Sequence, residues 1–181
     1  MNETERWVAA LAVGGVDPSG GAGLLVDAAA MRAAGVSPAA VAAVRTIQDG
    51  RRFRRTAPED AAFVAEAIEH VVEGLPVGAV KTGALGSENV VRETARVLER
   101  LADRRGPLVV DPVLVSSSGG ALIDDAGARM VVERLLPLAE LVTPNRPEAE
   151  RLAGMRVRDP DEMTRAAERI AGLGPEWVLV K

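Results

Sequence analysis

The segment with the clearest chemical potential is glycine-rich. Residues 14–23 read Gly-Gly-Val-Asp-Pro-Ser-Gly-Gly-Ala-Gly, between an apolar run at 7–13 and apolar residues at helical spacing over 22–34. A glycine-rich turn between a strand and a helix lets a ligand approach the backbone and aims unpaired helix N–H groups at it. The glycine spacing differs from the dinucleotide-binding fingerprint, and no Gly-Lys-Ser/Thr follows as in a Walker loop. The structural alternative is a tight turn in which Ser19 caps the helix.

Two further positions combine polar side chains with a helix. Asp27 interrupts an apolar helical stretch; a charge there generally faces solvent, and the alternative is a carboxylate in a polar ligand pocket. Asn145-Arg-Pro-Glu148 has the spacing of a capping box. The same geometry places an amide and a carboxylate where they could hold metal-bound water near a phosphate, and both interpretations can hold together.

Strand-like and helix-like patterns alternate along the chain. This order predicts an α/β fold, with a mainly parallel sheet covered by helices on both faces, in one domain over residues 1–181. The predicted strands are 7–13, 39–44, 78–81, 108–111, 140–143 and 177–181. The predicted helices are 22–34, 58–73, 87–104, 124–136, 147–153 and 161–172. Residues 48–56 are the least regular piece and are predicted to be a loop or a small hairpin.

Polar or glycine residues follow each predicted strand. Because ligands bind beyond the carboxyl ends of strands in such sheets, these residues are the candidate site. They are Asp17, Gln48, residues 81–83, residues 111–113, residues 143–145 and Lys181. We expect Asp17, Asp27, Gln48, Asp111 and Asn145 to surround one hollow sized for a small heterocycle.

Composition restricts the class of protein. The chain has 181 residues, which suits one domain with a sizeable core, and a net charge of −4, which argues against nucleic acid as the main partner. Cys is absent, which excludes disulfides, thiolate catalysis and Cys-ligated metal. The N-terminal apolar run is too short to span a bilayer and lacks a secretory n-region, so we expect a soluble, cytoplasmic protein with no membrane partner.

Three other features favour ordinary structural roles. Residues 116–120 read Ser-Ser-Ser-Gly-Gly, which is typical of a flexible loop, with closure over a substrate as the alternative. His70 is the only histidine and lies on a predicted helix away from the strand ends. A cluster of arginines at 51, 52, 54 and 55 is expected to be solvated, with a phosphate clamp as the less favoured interpretation.

Taken together, these segments are similar to the hydroxymethylpyrimidine and phosphomethylpyrimidine kinases of thiamine biosynthesis, in the ribokinase-like superfamily. The first glycine-rich segment and the Thr-Pro-Asn-x-x-Glu segment are specific as a pair, although the second is shared across the superfamily. The matching pieces keep the family's order and span nearly the whole chain: residues 15–23, Asp27, Gln48, and residues 81–85, 110–113, 117–119, 122, 143–149 and 178–181.

The resemblance implies a kinase that uses ATP and Mg²⁺. It would phosphorylate the hydroxymethyl group of 4-amino-5-hydroxymethyl-2-methylpyrimidine, and then phosphorylate that monophosphate to the diphosphate. The implied substrate-binding positions are Gly15, Asp17, Asp27, Gln48 and Val113, among which Asp27 and Gln48 match residues that hydrogen-bond the aminopyrimidine.

The resemblance also implies a phosphate end of the site. Asn145 and Lys181 match positions that bind ATP or its phosphates, and Asp111 and Glu148 match positions that hold Mg²⁺. Family members continue beyond Val-Leu-Val-Lys into a Gly-Thr-Gly segment, which supplies an anion hole and a catalytic Cys or Asp. We therefore expect no catalytic residue of that kind in residues 1–181, negligible turnover by this chain alone, and an open sheet edge after the last strand.

Three interpretations arise from the resemblance. The first is a hydroxymethylpyrimidine-type kinase whose sequence here is incomplete. The second is a short form that binds a pyrimidine without phosphorylating it, and the third is a related kinase acting on pyridoxal or pyridoxine. A homodimer is the assembly that the family suggests.

Overall fold

The computed structural model describes residues 8–115 and 120–181. Within them, seven strands form one sheet in the order β3-β2-β1-β4-β5-β6-β7. Every neighbouring pair is parallel except β2 and β3, which are antiparallel. This confirms the predicted fold class. The strands are β1 (Ala9–Val16), β2 (Ser37–Gln48), β3 (Phe53–Pro58), β4 (Val77–Thr82), β5 (Leu108–Val110), β6 (Leu141–Val142) and β7 (Trp177–Val178).

Helices connect the parallel strands. They are α1 (Gly23–Ala33), α2 (Ala61–Gly74), α3 (Glu88–Arg100), α4 (Ala102–Arg105), α5 (Asp125–Met130), α6 (Arg146–Ala153) and α7 (Pro160–Ala171). The helix α1 leads from β1 outward to β2, whereas β3 and α2 together lead from β2 back across β1 to the parallel strand β4. Since crossovers between parallel strands are right-handed, the two helices lie on opposite faces of the sheet.

Several strands begin or end at other residues than the sequence predicts. The first strand is predicted at 7–13 but runs from Ala9 to Val16, because Gly14 and Gly15 pair with β2 instead of starting the turn. The second is predicted at 39–44 but continues to Gln48 and turns into β3, so the irregular segment is a hairpin. The last two strands keep only two ladder residues each, 141–142 and 177–178.

Helix ends coincide with capping side chains and proline. The helix α2 begins at Ala61 and not at 58, because the Asp60 side chain caps it by accepting from the Phe63 N–H. The predicted helix 87–104 is interrupted at Leu101, which separates α3 from α4. The predicted helix 124–136 is α-helical only to Met130, then forms a π-helical turn and a short 3₁₀ turn that contains Pro137.

Two apolar clusters hold the helices on the sheet. The larger joins the central strands to α2, α3 and α5 through fully buried side chains such as Leu11, Ile68 and Leu98. The smaller joins α6 and α7 through Ala149 and Ile170, against which Val178 of β7 packs. Because burying one such large side chain contributes roughly 1.5–3 kcal/mol, these clusters fix the strand ends that carry the site.

Two buried polar side chains differ in whether they form hydrogen bonds. Arg105 is 3% exposed, and its side chain donates to the carbonyl oxygens of Leu98 at 3.0 Å, Gly106 at 2.7 Å and Leu138 at 3.2 Å. The Thr94 hydroxyl in α3 is fully buried and, within the described residues, has no hydrogen-bond partner. Arg105 therefore ties together three backbone segments, whereas the Thr94 hydroxyl contributes no bond.

Candidate functional site

A cavity of about 680 Å³ lies at the carboxyl ends of the strands. Its volume is in the range of pockets that hold small molecules, which is roughly 300–1,000 Å³. It is lined by all nine residues to which the sequence predicted a binding role: Gly15, Asp17, Asp27, Gln48, Asp111, Val113, Asn145, Glu148 and Lys181. The structure thus brings the expected residues together, while their individual roles stay predictions.

The glycine-rich loop forms one wall of this cavity. Gly23, at φ +65°, forms a bridge with Val16, and a Cβ at Gly23 would lie only 2.2 Å from the Gly15 carbonyl oxygen. Ser19 does not cap α1, contrary to the structural alternative; its N–H and hydroxyl donate to Asp17 at 2.8 and 2.7 Å. No side chain caps the N-terminus of α1, so its first N–H groups are not occupied by a capping oxygen.

Asp17 is buried beneath this loop, with 5% of its surface exposed. Burial acts to raise the pKa of its carboxyl group, but hydrogen bonds from the Ser19 hydroxyl and backbone N–H outweigh it. Gln48 and the Gly21 N–H add to the effect, and the net pKa is below the ordinary value. Asp17 is therefore a carboxylate at neutral pH, held by donors from its own loop and from the end of β2.

Four charged side chains alternate in sign across the cavity. Lys81 Nζ, at the end of β4, lies 3.0 Å from Asp27 Oδ2 and 4.0 Å from Asp111 Oδ2. Lys181 Nζ lies 3.0 Å from Asp111 Oδ1. The Asp27 carboxylate thus lies in the polar pocket. Of the two interpretations of its sequence context, the pocket is the correct one, and the solvent-facing position is not.

The segment after β6 carries the predicted capping box. Asn145 Oδ1 accepts from the Glu148 N–H at 3.0 Å, and Glu148 Oε2 accepts from the Asn145 N–H at 2.9 Å. Glu148 is 5% exposed. Burial raises the pKa of its carboxyl group, and the negative charge of Asp111 raises it further. The capping interpretation is confirmed. The carboxyl groups of Glu148 and Asp111 both line the cavity, close enough for the charge of one to affect the pKa of the other.

These carboxylates suit a hard divalent cation. Asp111 and Glu148 present oxygen ligands, and Mg²⁺ is usually held by one or two protein carboxylates together with water and substrate phosphates. Within residues 8–115 and 120–181, no group of three or more His, Cys, Asp and Glu side chains forms a metal site built by the protein alone. Asp111 and Glu148 could supply two oxygen ligands to such a cation.

Three polar side chains that line the cavity received no role from the sequence. Lys81 stood among the strand-end candidates, but nothing in the sequence indicated its pairing with Asp27. Arg151 lines the cavity three residues after Glu148, a helical spacing that could have revealed it. Thr46 also lines the cavity, and its hydroxyl donates to the Val16 carbonyl oxygen at 3.0 Å.

The other features noted in the sequence either do not line the cavity or lie outside the described residues. His70 is exposed on α2, and the four clustered arginines of residues 51–55 are exposed on the hairpin, outside the cavity lining. Residues 116–119 of the predicted serine-glycine loop lie outside the described part of the chain. In the part that is described, the helices are all too short or too polar for a bilayer crossing.

Comparison with known proteins identifies relatives by both sequence and structure. The chain is 41% identical over 172 residues to the thiamine biosynthesis bifunctional protein ThiED of Geobacter sulfurreducens, covering 94% of this chain and 34% of that protein. It is 39% identical over 171 residues to the hydroxymethylpyrimidine/phosphomethylpyrimidine kinase of Streptomyces coelicolor, covering 94% of this chain and 62% of that protein. The chain thus spans less than two thirds of the length of these relatives.

Solved structures agree with the sequence relatives. The phosphomethylpyrimidine kinase of Clostridium difficile superposes with a TM-score of 0.87 at 34% identity, covering 96% of this chain and 74% of that one. A pyridoxal kinase of Bacillus subtilis, solved as an ADP complex, gives a TM-score of 0.84 at 27% identity, covering 96% and 64%. The sequence model described as phosphomethylpyrimidine kinase matches residues 17–181. The chain belongs to the phosphomethylpyrimidine kinase family.

Proposed function

We propose that this chain forms the pyrimidine-binding and phosphate-organising part of a kinase that acts on 4-amino-5-hydroxymethyl-2-methylpyrimidine and its monophosphate. The observation that carries the proposal is one cavity with two chemically different ends. One end carries Gln48, which ends β2, and Asp27, which pairs with Lys81 of β4. The other end carries Asp111, Glu148 and Lys181, which follow β5, β6 and β7. Family membership adds ATP as the phosphoryl donor.

The first end suits an aminopyrimidine. The Asp27 carboxylate accepts hydrogen bonds from an exocyclic amino group, and the Gln48 amide can both donate to and accept from ring positions. Gly15 and Val113 supply apolar and backbone surface beside the ring. A ligand that left these polar groups unpaired would bind less well, since each unmet buried donor or acceptor costs roughly 1–3 kcal/mol.

The second end suits phosphate groups. Lys181 supplies positive charge, and Asn145 supplies an amide at the start of α6, whose N-terminal N–H groups favour anions. Asp111 and Glu148 would hold Mg²⁺, which neutralises the charge that develops during phosphoryl transfer. The chain's own residues orient the hydroxymethyl group and the phosphates toward each other.

We propose that residues 1–181 bind the substrate but give negligible turnover alone. Among the described residues that line the cavity, Lys181, Lys81 and Arg151 are the only cations, and they are engaged by Asp111, Asp27 and Asp125, respectively. Loss of even one donor to a developing anion can lower a rate by about 10²–10³. Purified protein incubated with ATP, Mg²⁺ and the pyrimidine should produce no ADP above background, and robust ADP production would contradict this part of the proposal.

Binding is tested directly by titration calorimetry with the pyrimidine and with pyridoxal. We expect the pyrimidine to bind and Asp27→Ala to abolish its binding. Asp103→Ala serves as the control, because it removes the same charge at an exposed position of α4. Unchanged affinity in Asp27→Ala would contradict the assigned role. Tighter binding of pyridoxal would favour the pyridoxal kinase alternative, which is less supported because the sequence relatives at 36–41% identity are named for thiamine biosynthesis or the pyrimidine kinase.

A further inference from the structure

Both lysines of the chain lie in the cavity, whereas its twenty arginines are spread over the sequence. We propose that Lys81 is a positioning residue. It fixes the Asp27 carboxylate so that the site prefers a ligand that presents an N–H donor at that point. The inference rests on the proposed function, because it takes the exocyclic amino group of a pyrimidine as the ligand of Asp27.

The two carboxylates beside Lys81 depend on it to different degrees. Asp111 also accepts from Lys181 at 3.0 Å and from the Thr143 hydroxyl at 3.3 Å. Asp27 has no hydrogen-bond or ion-pair partner other than Lys81 in residues 8–115 and 120–181. Removing the Lys81 ammonium would therefore leave Asp111 with two donors and Asp27 with none.

The ammonium is held firmly enough to orient its partner. Lys81 is in register with Ala12 of β1 and Val109 of β5, so both edges of its strand are paired. Its Nζ lies against the backbone at Gly83, where a Cβ would be 3.4 Å away. The side chains of Lys81 and Asp27 are 27% and 19% exposed, which places the pair in a partly desolvated position where a charge-assisted bond is effective.

This arrangement gives selectivity as well as affinity. Lys81 occupies Asp27 Oδ2, so the remaining lone pairs of the carboxylate are available to the cavity. A fixed anionic acceptor favours an N–H donor and penalises a ligand that has an acceptor, or nothing, at the same place. A compact ammonium suits a position between two carboxylates, whereas the planar guanidinium of the otherwise prevalent arginine needs more room.

The test compares the aminopyrimidine with its analogue lacking the 4-amino group, in calorimetric titrations of wild type and Lys81→Met. Methionine keeps the length of the side chain and removes the charge. We expect the variant to bind the aminopyrimidine about tenfold more weakly, as for loss of one charge-assisted bond, and the analogue about as well as wild type does. Arg92→Met, which removes a positive charge at an exposed position of α3, is the control and should change neither affinity.

Each outcome is decisive. Equal weakening of both ligands would indicate a structural role and overturn the inference, as would an unchanged preference for the amino compound in Lys81→Met. A wild-type chain that binds neither ligand would overturn the proposed function, and the inference with it. Thermal melting of both variants shows whether the fold persists.

A second measurement needs no variant at Lys81. Reductive ¹³C-methylation labels only two lysines and the α-amine in this chain, and it preserves their charge. Lys181→Arg assigns the second lysine by loss of its signal. Saturating aminopyrimidine should shift the Lys81 signal more than the analogue does, and equal or absent shifts would overturn the inference.

Discussion

The closure of the glycine-rich loop depends on Gly23. Its φ of +65° is a conformation that side chains rarely adopt, and a Cβ there would lie 2.2 Å from the Gly15 carbonyl oxygen. Alanine in a left-handed conformation costs about 1–2 kcal/mol. Overpacking against a group that cannot move freely costs about 1–3 kcal/mol more. We therefore predict that Gly23→Ala lowers the free energy of unfolding by about 2–5 kcal/mol, measured by urea denaturation.

Gly20 provides a matched control within the same loop. Its φ is +73°, but no atom lies within 4 Å of the position that a Cβ would occupy. Gly20→Ala should therefore lower the free energy of unfolding only by the cost of the left-handed backbone conformation, about 1–2 kcal/mol. The difference between the two variants isolates the contact with the strand.

The contact also has a consequence for binding. Gly15 and Asp17 line the cavity, and relief of the contact requires β1 and the loop to separate. Gly23→Ala should therefore weaken binding of the pyrimidine, while Gly20→Ala should leave it close to the wild-type value. Unfolding free energies of the two variants that agree within about 0.5 kcal/mol would refute the reasoning, since only experimental scatter would separate them.

Three other substitutions test the electrostatics and packing of the fold. Because the raised pKa of Glu148 means that the folded state holds its proton more tightly than the unfolded state, stability falls as pH rises through the window between the ordinary and the raised pKa. Glu148→Gln, whose amide oxygen can still accept in the capping box, should be more stable than wild type in urea at neutral pH. It should lose that advantage below about pH 4; a constant difference would contradict the assigned titration. Thr94→Val should raise the unfolding free energy by about 1 kcal/mol, because it replaces a buried unpaired hydroxyl with a methyl of similar size. A lower unfolding free energy in the same urea assay would show that the hydroxyl makes a hydrogen bond. Arg105→Met should lower the unfolding free energy by about 3 kcal/mol, because three carbonyl oxygens lose a donor. A change below about 1 kcal/mol would show that these oxygens find other partners.

The gathering of the site residues was predictable from topology. A parallel sheet brings the residues at the carboxyl ends of its strands to one edge, so Gln48, Asp111 and Asn145 could be placed together without knowing any side-chain conformation. The capping box was equally accessible, because it depends on residues only three apart. Both predictions depend on strand order or short sequence spacing.

The features that escaped prediction depend on contacts distant in the chain. Lys81 and Asp27 are 54 positions apart, and they meet because α1 packs on β1, the strand next to β4. Gly14 and Gly15 looked like the start of a turn, but pairing with β2 draws them into the strand. The change from α-helix to π-helical and 3₁₀ turns after Met130 is a further feature that hydrophobic periodicity did not indicate.

The cavity draws its walls from chain segments as far apart as Gly15 and Lys181. No part of the unfolded polypeptide can reproduce it, so any occupant acts as a selective stabiliser of the native state. A compound present at a hundred times its Kd would add about 2.7 kcal/mol to that state. For a chain of this size, that corresponds to a rise in melting temperature of roughly 5–10 °C. A simple thermal-shift screen of heterocycles and nucleotides would thus report on which molecules this cavity accepts, before any turnover is measured.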